Sequence, residues 1–464
     1  MNTHSTNINS IFKNSLTLFF VFQTIGLICG LLSNFTLFLL FFLLTAFIII
    51  KYNDIKALIL FVFCTFFQNI FLIFYSVSLT SYENQLLVII KELIVYITAF
   101  IYFIKYKCIG KNASRLDNLI FIFLYIILFI NIIRPGAPIG LKITALRQIC
   151  IPSICYYFGL SLKLNKTELK AFFSIYSILT ISLCIMGLII YILPDSFWFD
   201  INYDIFYYSK HGIHLIGSTE NFYSWDIGEK MKRFVSITAD PIATAHLIGF
   251  FLIYLYISNI YPKKQGLILT SFCALLCFSK SLILLFIIAI TCNIYFKIKN
   301  PKTRLFAFFL IILGSISCFM LLLLYVTTLE TNTAAGNHFL SLLSGLRDSN
   351  IFGNGLGTAG YNAIIAGGDI NNEYTESFFA VLSIQIGYIG MFLFYFFLFL
   401  KAKKLINLYY VTNNSLVLAT VIIFIGIIIE SLISGSSVTM LGTSIFFIIP
   451  GVIERNKNLF LNRI

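Results

Sequence analysis

Two polar segments of an otherwise apolar chain, residues 194–236 and 330–376, carry most of the side chains that can do chemistry. Two guanidinium groups, one imidazole and two carboxylates stand out among them: Arg233, Arg347, His338, Glu373 and Glu376. Guanidinium groups match phosphate oxygens in bidentate geometry, and imidazole is the usual general base near neutral pH. These residue types favour chemistry on an anionic, phosphate-containing substrate.

A glycine-rich stretch follows Arg347 in the second segment. Gly353, Gly355 and Gly357 alternate with other residues, and glycine permits positive φ and close backbone approach. Such a run forms either an anion-binding nest of backbone amides or a tight re-entrant turn, and the sequence leaves both open. Apolar residues at helical spacing within residues 338–349 predict a short amphipathic helix on the outer surface or across the mouth of the bundle.

Arg233 ends a basic cluster that lies just before a predicted helix. Asp240 is a good N-cap and Pro241 suits the first helical position, so we expect the helix to begin there. The basic cluster needs an anionic partner, which is either a lipid head group or a lipid-linked pyrophosphate. His246, in the second turn of that helix, is expected to pack between helices rather than to react.

Lys280 falls between two weak apolar segments, residues 266–280 and 281–297, which we expect to form a tight hairpin at Ser279-Lys280-Ser281. Other charged residues also fall near the outer ends of predicted helices. As a group with Lys280, they are expected to line a groove for a lipid pyrophosphate: Arg134, Arg147 and Glu430.

The composition predicts an all-α, polytopic transmembrane helix bundle. Hydrophobic residues make up 59% of the chain and the mean hydropathy is +0.93. About 14 apolar runs approach the roughly 20 residues that a helix needs to cross a bilayer. They lie near residues 16–32, 35–50, 57–79, 85–104, 118–133, 143–162, 171–193, 241–260, 266–280, 281–297, 305–329, 377–400, 415–432 and 438–453. We therefore expect one integral membrane domain over residues 1–464, with residues 194–236 and 330–376 as two large extracytoplasmic loops.

Lysine and arginine concentrate in every second loop between these runs, which places both termini in the cytoplasm and both large loops outside. The formal net charge of +13 is then a signal of topology, and nucleic-acid binding is not expected.

None of the 10 cysteines lies in either large loop, so neither a disulfide framework nor a zinc site is implied. The first apolar run has no small-residue cleavage site after it and is interpreted as an anchor.

In three places the chain resembles the O-antigen polymerase and O-antigen ligase superfamily of polytopic bacterial membrane proteins. The first is Arg233 followed by Asp240-Pro241, and the second is Ser279-Lys280-Ser281, where the family has arginine in place of lysine. The third runs through the second loop. It comprises Gly336-Asn337-His338, Arg347, the stretch from Phe352 to Gly360, Glu376-Ser377-Phe378 and Gly387-Tyr388-Ile389-Gly390, with Phe352 where the family usually has proline.

The resemblance implies a metal-independent, inverting glycosyl transfer on the outer face of the bacterial plasma (inner) membrane, with no cofactor. The donor would be a growing glycan on undecaprenyl pyrophosphate, and the acceptor a hydroxyl of a second lipid-linked repeat unit. His338 or Glu376 would act in catalysis, while Arg233, Arg347 and Lys280 would hold the pyrophosphate. Gly353, Gly355 and Gly357 would shape the loop. Other implied partners are membrane lipid and a chain-length regulator protein.

Three other functions remain open at this point. An O-antigen ligase uses the same donor, and the sequence barely separates it from a polymerase. A flippase for the lipid-linked repeat unit would have charged residues deep in its helices and mostly short loops, unlike this chain. A non-catalytic scaffold of a polysaccharide assembly complex would explain the loops but not the basic groups and the histidine.

Overall fold

The computed structural model describes residues 16–17, 21, 54–75, 95–97, 115–211, 222–224, 231–258, 266–310, 313–314, 317, 341–343, 345–360 and 377–461. In chain order, the helices with defined bounds are α1 (Asp54–Tyr75), α2 (Arg115–Ile133), α3 (Ile139–Ser161), α4 (Lys166–Ile192), α5 (Ser196–Asp200), α6 (Tyr203–His211), α7 (Pro241–Ile257), α8 (Gly266–Leu276), α9 (Lys280–Lys297), α10 (Phe378–Thr412), α11 (Ser415–Ile433), α12 (Ser444–Arg455) and α13 (Asn458–Leu461). A two-residue hairpin, β1 (Tyr223–Ser224) with β2 (Met231–Lys232), pairs antiparallel.

Five helices within the described part of the chain are long and apolar enough to cross a membrane: α1, α4, α9, α10 and α11. The protein is therefore an all-α membrane protein, as the composition predicts. The predicted span 35–50, and most of 16–32, 85–104 and 305–329, lie outside the described residues, so the count of about 14 spans stays a prediction.

Contacts between helices define two ends of the bundle. α7 and α11 run antiparallel, because His246 at the start of α7 meets Glu430 at the end of α11, and Tyr254 meets Thr420 further along. The start of α10 joins the same end, since the Ser377 hydroxyl donates to the carbonyl of Leu432 at 2.7 Å. We call this the arginine end, because Arg233 precedes α7 there. The sequence predicts that it faces outward.

The opposite end, which we call the lysine end, holds a buried ionic network. Lys401 Nζ lies 3.1 Å from Asp117 Oδ2, with both side chains buried, and Lys404 pairs with the same carboxylate. Tyr156 donates a hydrogen bond to Glu454, whose other oxygen lies 3.7 Å from Lys404 Nζ. Opposite charges that neutralise one another let polar groups lie between packed helices. The network ties α2, α3, α10 and α12 together.

Two helix boundaries differ from the predicted spans. α10 continues to Thr412 rather than stopping near residue 400, and it ends at Asn413, which adopts a left-handed conformation at φ 45°. α12 begins at Ser444 rather than near residue 438. The preceding segment is rich in Ser, Thr and Gly, whose side chains bond to nearby backbone; the Thr443 hydroxyl, for example, donates to Thr439 O at 3.0 Å.

The expected hairpin around Lys280 is open rather than tight. α8 packs against α4 and α7, whereas α9 packs against α7 and α11, so the two helices lie on different sides of α7. The chain reverses through Phe278, at φ 44°, and the Ser279 hydroxyl caps α9 by accepting from the amide of Leu282 at 3.3 Å. This turn lies at the arginine end.

Candidate functional site

Arg233 is fixed against the turn between α8 and α9. Its amide donates to Phe222 O at 2.7 Å, and its side-chain Nε donates to Cys277 O at 3.1 Å. The next amide, of Phe234, donates to Leu276 O at 2.9 Å. Because Lys280 follows Cys277 closely in the chain, as the exposed first residue of α9, the first two basic motifs of the sequence adjoin. A half-buried guanidinium and an exposed ammonium group thus share one turn.

The connection from Arg233 into α7 is rigid. Asp240 caps the helix by accepting from the amides of Ile242 and Ala243, each at 2.9 Å, and Pro241 occupies the first turn, so the predicted helix start is confirmed. Asn69 of α1 donates to Thr238 O at 2.6 Å. Buried hydrogen bonds of this kind hold the backbone beside the arginine in one conformation.

The described part of the first large loop is structured. α5, α6 and the β1–β2 hairpin pack their aromatic side chains together, with the rings of Trp198 and Phe222 4.9 Å apart. Lys232 pairs with Asp195 at 3.2 Å, and Tyr223 donates to the same carboxylate. Burial and the neighbouring Asp195 raise the pKa of Tyr223 to about 12. The lysine beside Arg233 therefore has its own carboxylate partner.

Gly353, Gly355 and Gly357 form a buried, re-entrant segment with φ of 80°, 110° and 78°. Its amides bond to protein carbonyls: Asn354 N to Ile384 O at 2.8 Å, Gly355 N to Gln385 O at 3.1 Å and Leu356 N to Asn131 O at 3.0 Å. Amides that already donate to carbonyl oxygens cannot also bind an anion. At the amides of Asn354, Gly355 and Leu356 the run is therefore a tight turn and not an anion nest.

The glycine run fits into a break in α10 at Gly387, where φ is 73° and ψ is 176°. A Cβ at Gly387 would lie 2.3 Å from the amide nitrogen of Gly353, so the two backbones touch. Beyond the break, Tyr388 N donates to Asn350 O at 3.1 Å. At the break, backbone groups of the helix bond to the loop instead of to the neighbouring turn of the helix. The loop therefore packs as part of the bundle.

Arg347 lies just before this segment, with its side chain 80% exposed and its Nε 3.0 Å from Asp348 Oδ1. That neighbouring carboxylate raises the pKa of Arg347 further. Residues 341–343 and 345–347 are helical, and they pack through small residues: the Ser377 amide donates to Ser341 Oγ, and the Ser383 hydroxyl donates to Gly345 O, both at 3.0 Å. The predicted apolar stripe is turned outward in part, since Leu343 and Leu346 are exposed.

Arg233 and Arg347 are thus held by different parts of the arginine end, one at the α8–α9 turn and the other at the glycine run. His338, Glu373 and Glu376 lie outside the described residues, so the catalytic role expected of His338 or Glu376 stays a prediction. The cap of α10 is Ser377, whose hydroxyl accepts from the amide of Ala380 at 3.3 Å.

His246 packs between helices as expected, but Glu430 pairs with it inside the bundle instead of lining an outer groove, and this pairing was not predicted. His246 Nε2 lies 2.8 Å from Glu430 Oε1, both side chains are 1% exposed, and His246 Nδ1 lies 2.8 Å from Ile242 O. Since the carbonyl can only accept, Nδ1 carries a proton, and the contact with Glu430 requires a second proton on either partner. The sequence does contain a signal for this pair. His246 lies near the start of one predicted span and Glu430 near the end of another, which places both near the same side of the membrane.

Comparison with known proteins adds no identification: the chain matches no protein-family model and no curated protein sequence. The candidate site is therefore defined by its geometry alone: two groups of cationic side chains lie at the arginine end of the bundle. The first group is Arg233 and Lys280. The second is Arg347 and Arg134, which adjoin the glycine run, and the Arg134 guanidinium donates to Gly353 O.

Proposed function

We propose that this protein polymerises undecaprenyl-pyrophosphate-linked oligosaccharide repeat units into O-antigen or capsular polysaccharide on the outer face of the plasma membrane. The observation that carries the proposal is the meeting of Arg233 and the Lys280 turn at the arginine end. An arginine anchored at the turn that carries an exposed lysine suits a pyrophosphate group that is anchored in the membrane.

In the proposed reaction, a hydroxyl of the acceptor repeat unit attacks the anomeric carbon of the donor glycan. The glycosidic bond forms as the bond from that carbon to the pyrophosphate oxygen breaks, and direct displacement inverts the anomeric centre. The acceptor proton passes to a base, which we assign to His338 with Glu376 as the alternative. The bonding electrons leave with undecaprenyl pyrophosphate.

Arg233 and Lys280 stabilise the negative charge that develops on the leaving pyrophosphate. Arg233 is suited to this role because the bond from Nε to Cys277 O holds its guanidinium at the turn that carries Lys280. Arg347, exposed and paired only to its neighbour Asp348 among the described residues, is free to turn towards the substrate. In this proposal it adds charge at the other side of the pyrophosphate.

The surface glycan of a deletion strain tests the proposal against its alternatives. Loss of a polymerase leaves lipid A-core carrying a single repeat unit, or the corresponding unpolymerised unit of a capsule. Loss of a ligase leaves polymer that is not joined to lipid A-core, and loss of a flippase leaves no surface glycan. Only the first result agrees with the proposed function, and complementation with the intact chain must restore long polymer.

A further inference from the structure

Two cationic side chains at the arginine end hydrogen-bond to neutral carbonyl oxygens rather than to carboxylates. Lys142 is 8% exposed, and its Nζ donates to Ile132 O at 3.0 Å and to the carbonyl of Arg134. The guanidinium of half-buried Arg134 donates to Gly353 O. No carboxylate in the described part of the chain forms an ion pair with either of them.

Other lysines of the same protein have carboxylate partners that neutralise their charge. Lys232 pairs with Asp195 at 3.2 Å, and buried Lys401 pairs with Asp117 at 3.1 Å. Lys142 is nearly as buried as Lys401 and has no such partner among the described residues. Burial makes a cation without an anion costly, because the protein interior solvates charge poorly.

The end of α2 accounts for only part of this charge. The carbonyls that Lys142 contacts belong to or follow the last turn of α2, and a helix C-terminus carries roughly half of one negative elementary charge. Arg134 and Lys142 together carry two positive charges, so the helix end offsets only a small part of their charge. An anion bound at this place would offset the rest.

The surroundings indicate an anion that is attached to an apolar tail. α2 presents a row of exposed apolar side chains that leads to Arg134: Phe129, Ile130 and Ile133, which are 64%, 49% and 66% exposed. Ile143 of α3, 55% exposed, continues the row beside Lys142. An amphiphile can place its tail along this apolar wall and its head group at the two cations.

A buried hydrogen-bond acceptor lies in the last turn of α2, three residues before Arg134. Asn131 is buried, its Nδ2 donates to Ile127 O at 3.0 Å, and its Oδ1 has no hydrogen-bond partner among the described residues. Asn131 precedes Arg134 by nearly one helical turn and therefore lies on the same side of α2. The polar end of α2 thus contains a buried acceptor as well as the two cations.

We propose that Arg134 and Lys142 bind the phosphate head group of a membrane amphiphile, with its tail on the exposed side of α2. This rests on the proposed function for the amphiphile's identity, which is the undecaprenyl-pyrophosphate-linked acceptor. A polymerase handles two lipid-linked substrates at once and needs two phosphate sites. Arg233 and Lys280 serve the donor, and Arg134 and Lys142 serve the acceptor.

Native mass spectrometry of the purified protein with undecaprenyl pyrophosphate tests the second site. The intact protein should bind two molecules, and Arg134→Gln/Lys142→Met should bind one, with affinity at the lost site reduced about tenfold or more. Lys232→Gln is the matched control, because it removes a lysine that has its own carboxylate, and it should bind two. Undecaprenol, which has the tail but no phosphate, should not distinguish the variants.

Should the double variant fold poorly, Arg134→Gln alone serves, since its amide can still donate to Gly353 O. Unchanged binding of two molecules by a folded variant overturns the site. Equal occupancy by phosphatidylglycerol assigns the site to bulk lipid and overturns its role as a substrate site. Binding does not depend on turnover. If the protein binds two molecules but forms no polymer, the proposed function is contradicted, but the phosphate site at Arg134 and Lys142 is not.

Discussion

The guanidinium of Arg233 donates from Nε to the backbone carbonyl of Cys277 at 3.1 Å. This contact joins the end of the first large loop to the turn that carries Lys280, although the two lie far apart in the sequence. It also orients the arginine, because it fixes Nε against the backbone of the turn. The proposed donor site depends on this arrangement.

Arg233→Ala should abolish chain elongation, while Arg233→Lys should keep part of it, because lysine retains the charge but loses the fork and the contact with Cys277. The backbone bond from residue 233 to Phe222 O remains in both variants, so the loop should stay folded. Glycan length on a gel is the measurement, with protein in the membrane verified by immunoblot.

Lys232→Gln is the control for Arg233→Ala, since it removes the adjacent positive charge and should leave glycan length unchanged. Normal polymer from Arg233→Ala would mean that this arginine contacts only lipid head groups or the turn itself.

The contact between Gly353 and Gly387 should be essential for stability. Gly387→Ala places a Cβ 2.3 Å from the amide nitrogen of Gly353 at a φ of 73°, so backbone must move. Strain at positive φ and overpacking together should cost about 2–5 kcal/mol. The thermal stability of the purified variant in detergent measures this.

Gly140→Ala is the matched control, because a Cβ there meets nothing within 4 Å. It should behave as the unmodified protein. If Gly387→Ala were equally stable, the pairing of the glycine run with the break in α10 would be wrong.

The pair of His246 and Glu430 should tolerate an amide but not an alkyl group. In Glu430→Gln, the side-chain amide can donate to Nε2 of a neutral histidine, while Nδ1 keeps its bond to Ile242 O. Glu430→Leu leaves Nε2 buried without a partner. Breaking a buried pair costs about 3–5 kcal/mol, so Glu430→Leu should be much less stable than Glu430→Gln.

Thermal unfolding in detergent separates these variants. Equal and large destabilisation by both would show that the pair needs a charge, and stability in both would show that the contact is not structural.

His338→Ala should reproduce the deletion phenotype while the protein stays in the membrane, because loss of a general base lowers the rate by about 10²–10⁴. The rate of the intact protein should fall as the pH drops below the usual imidazole pKa of about 6.5, since a protonated imidazole cannot accept the hydroxyl proton. Glycan length and the pH dependence of turnover are measured together. Full-length polymer from His338→Ala would move the base to Glu376, with Glu376→Gln as the next variant.

The sequence predicted the features that depend on nearby residues. Asp240 and Pro241 start α7 as expected, because capping and proline geometry act within one turn. Within the described residues the apolar runs likewise locate the long helices, with errors at ends such as Thr412 and Ser444 that tertiary contacts decide.

Features that depend on distant residues could not be predicted in this way. Glycines in the second loop indicate unusual backbone, but only the folded chain pairs Gly353 with Gly387. Lys142 is an ordinary lysine in the sequence, and its burial against the end of α2 comes from the packing of α3. A single sequence contains little signal for such pairings, because each half is locally compatible with many partners.

The most direct test of the proposed function uses the purified protein in detergent with a lipid-linked repeat unit as the only substrate and EDTA present. We expect glycans of two or more repeat units on one lipid, with one undecaprenyl pyrophosphate released for each bond formed. Arg233→Ala should release none. If folded, intact protein leaves the substrate unchanged but transfers it across the bilayer of reconstituted vesicles, the proposed polymerase activity is contradicted and a flippase is favoured.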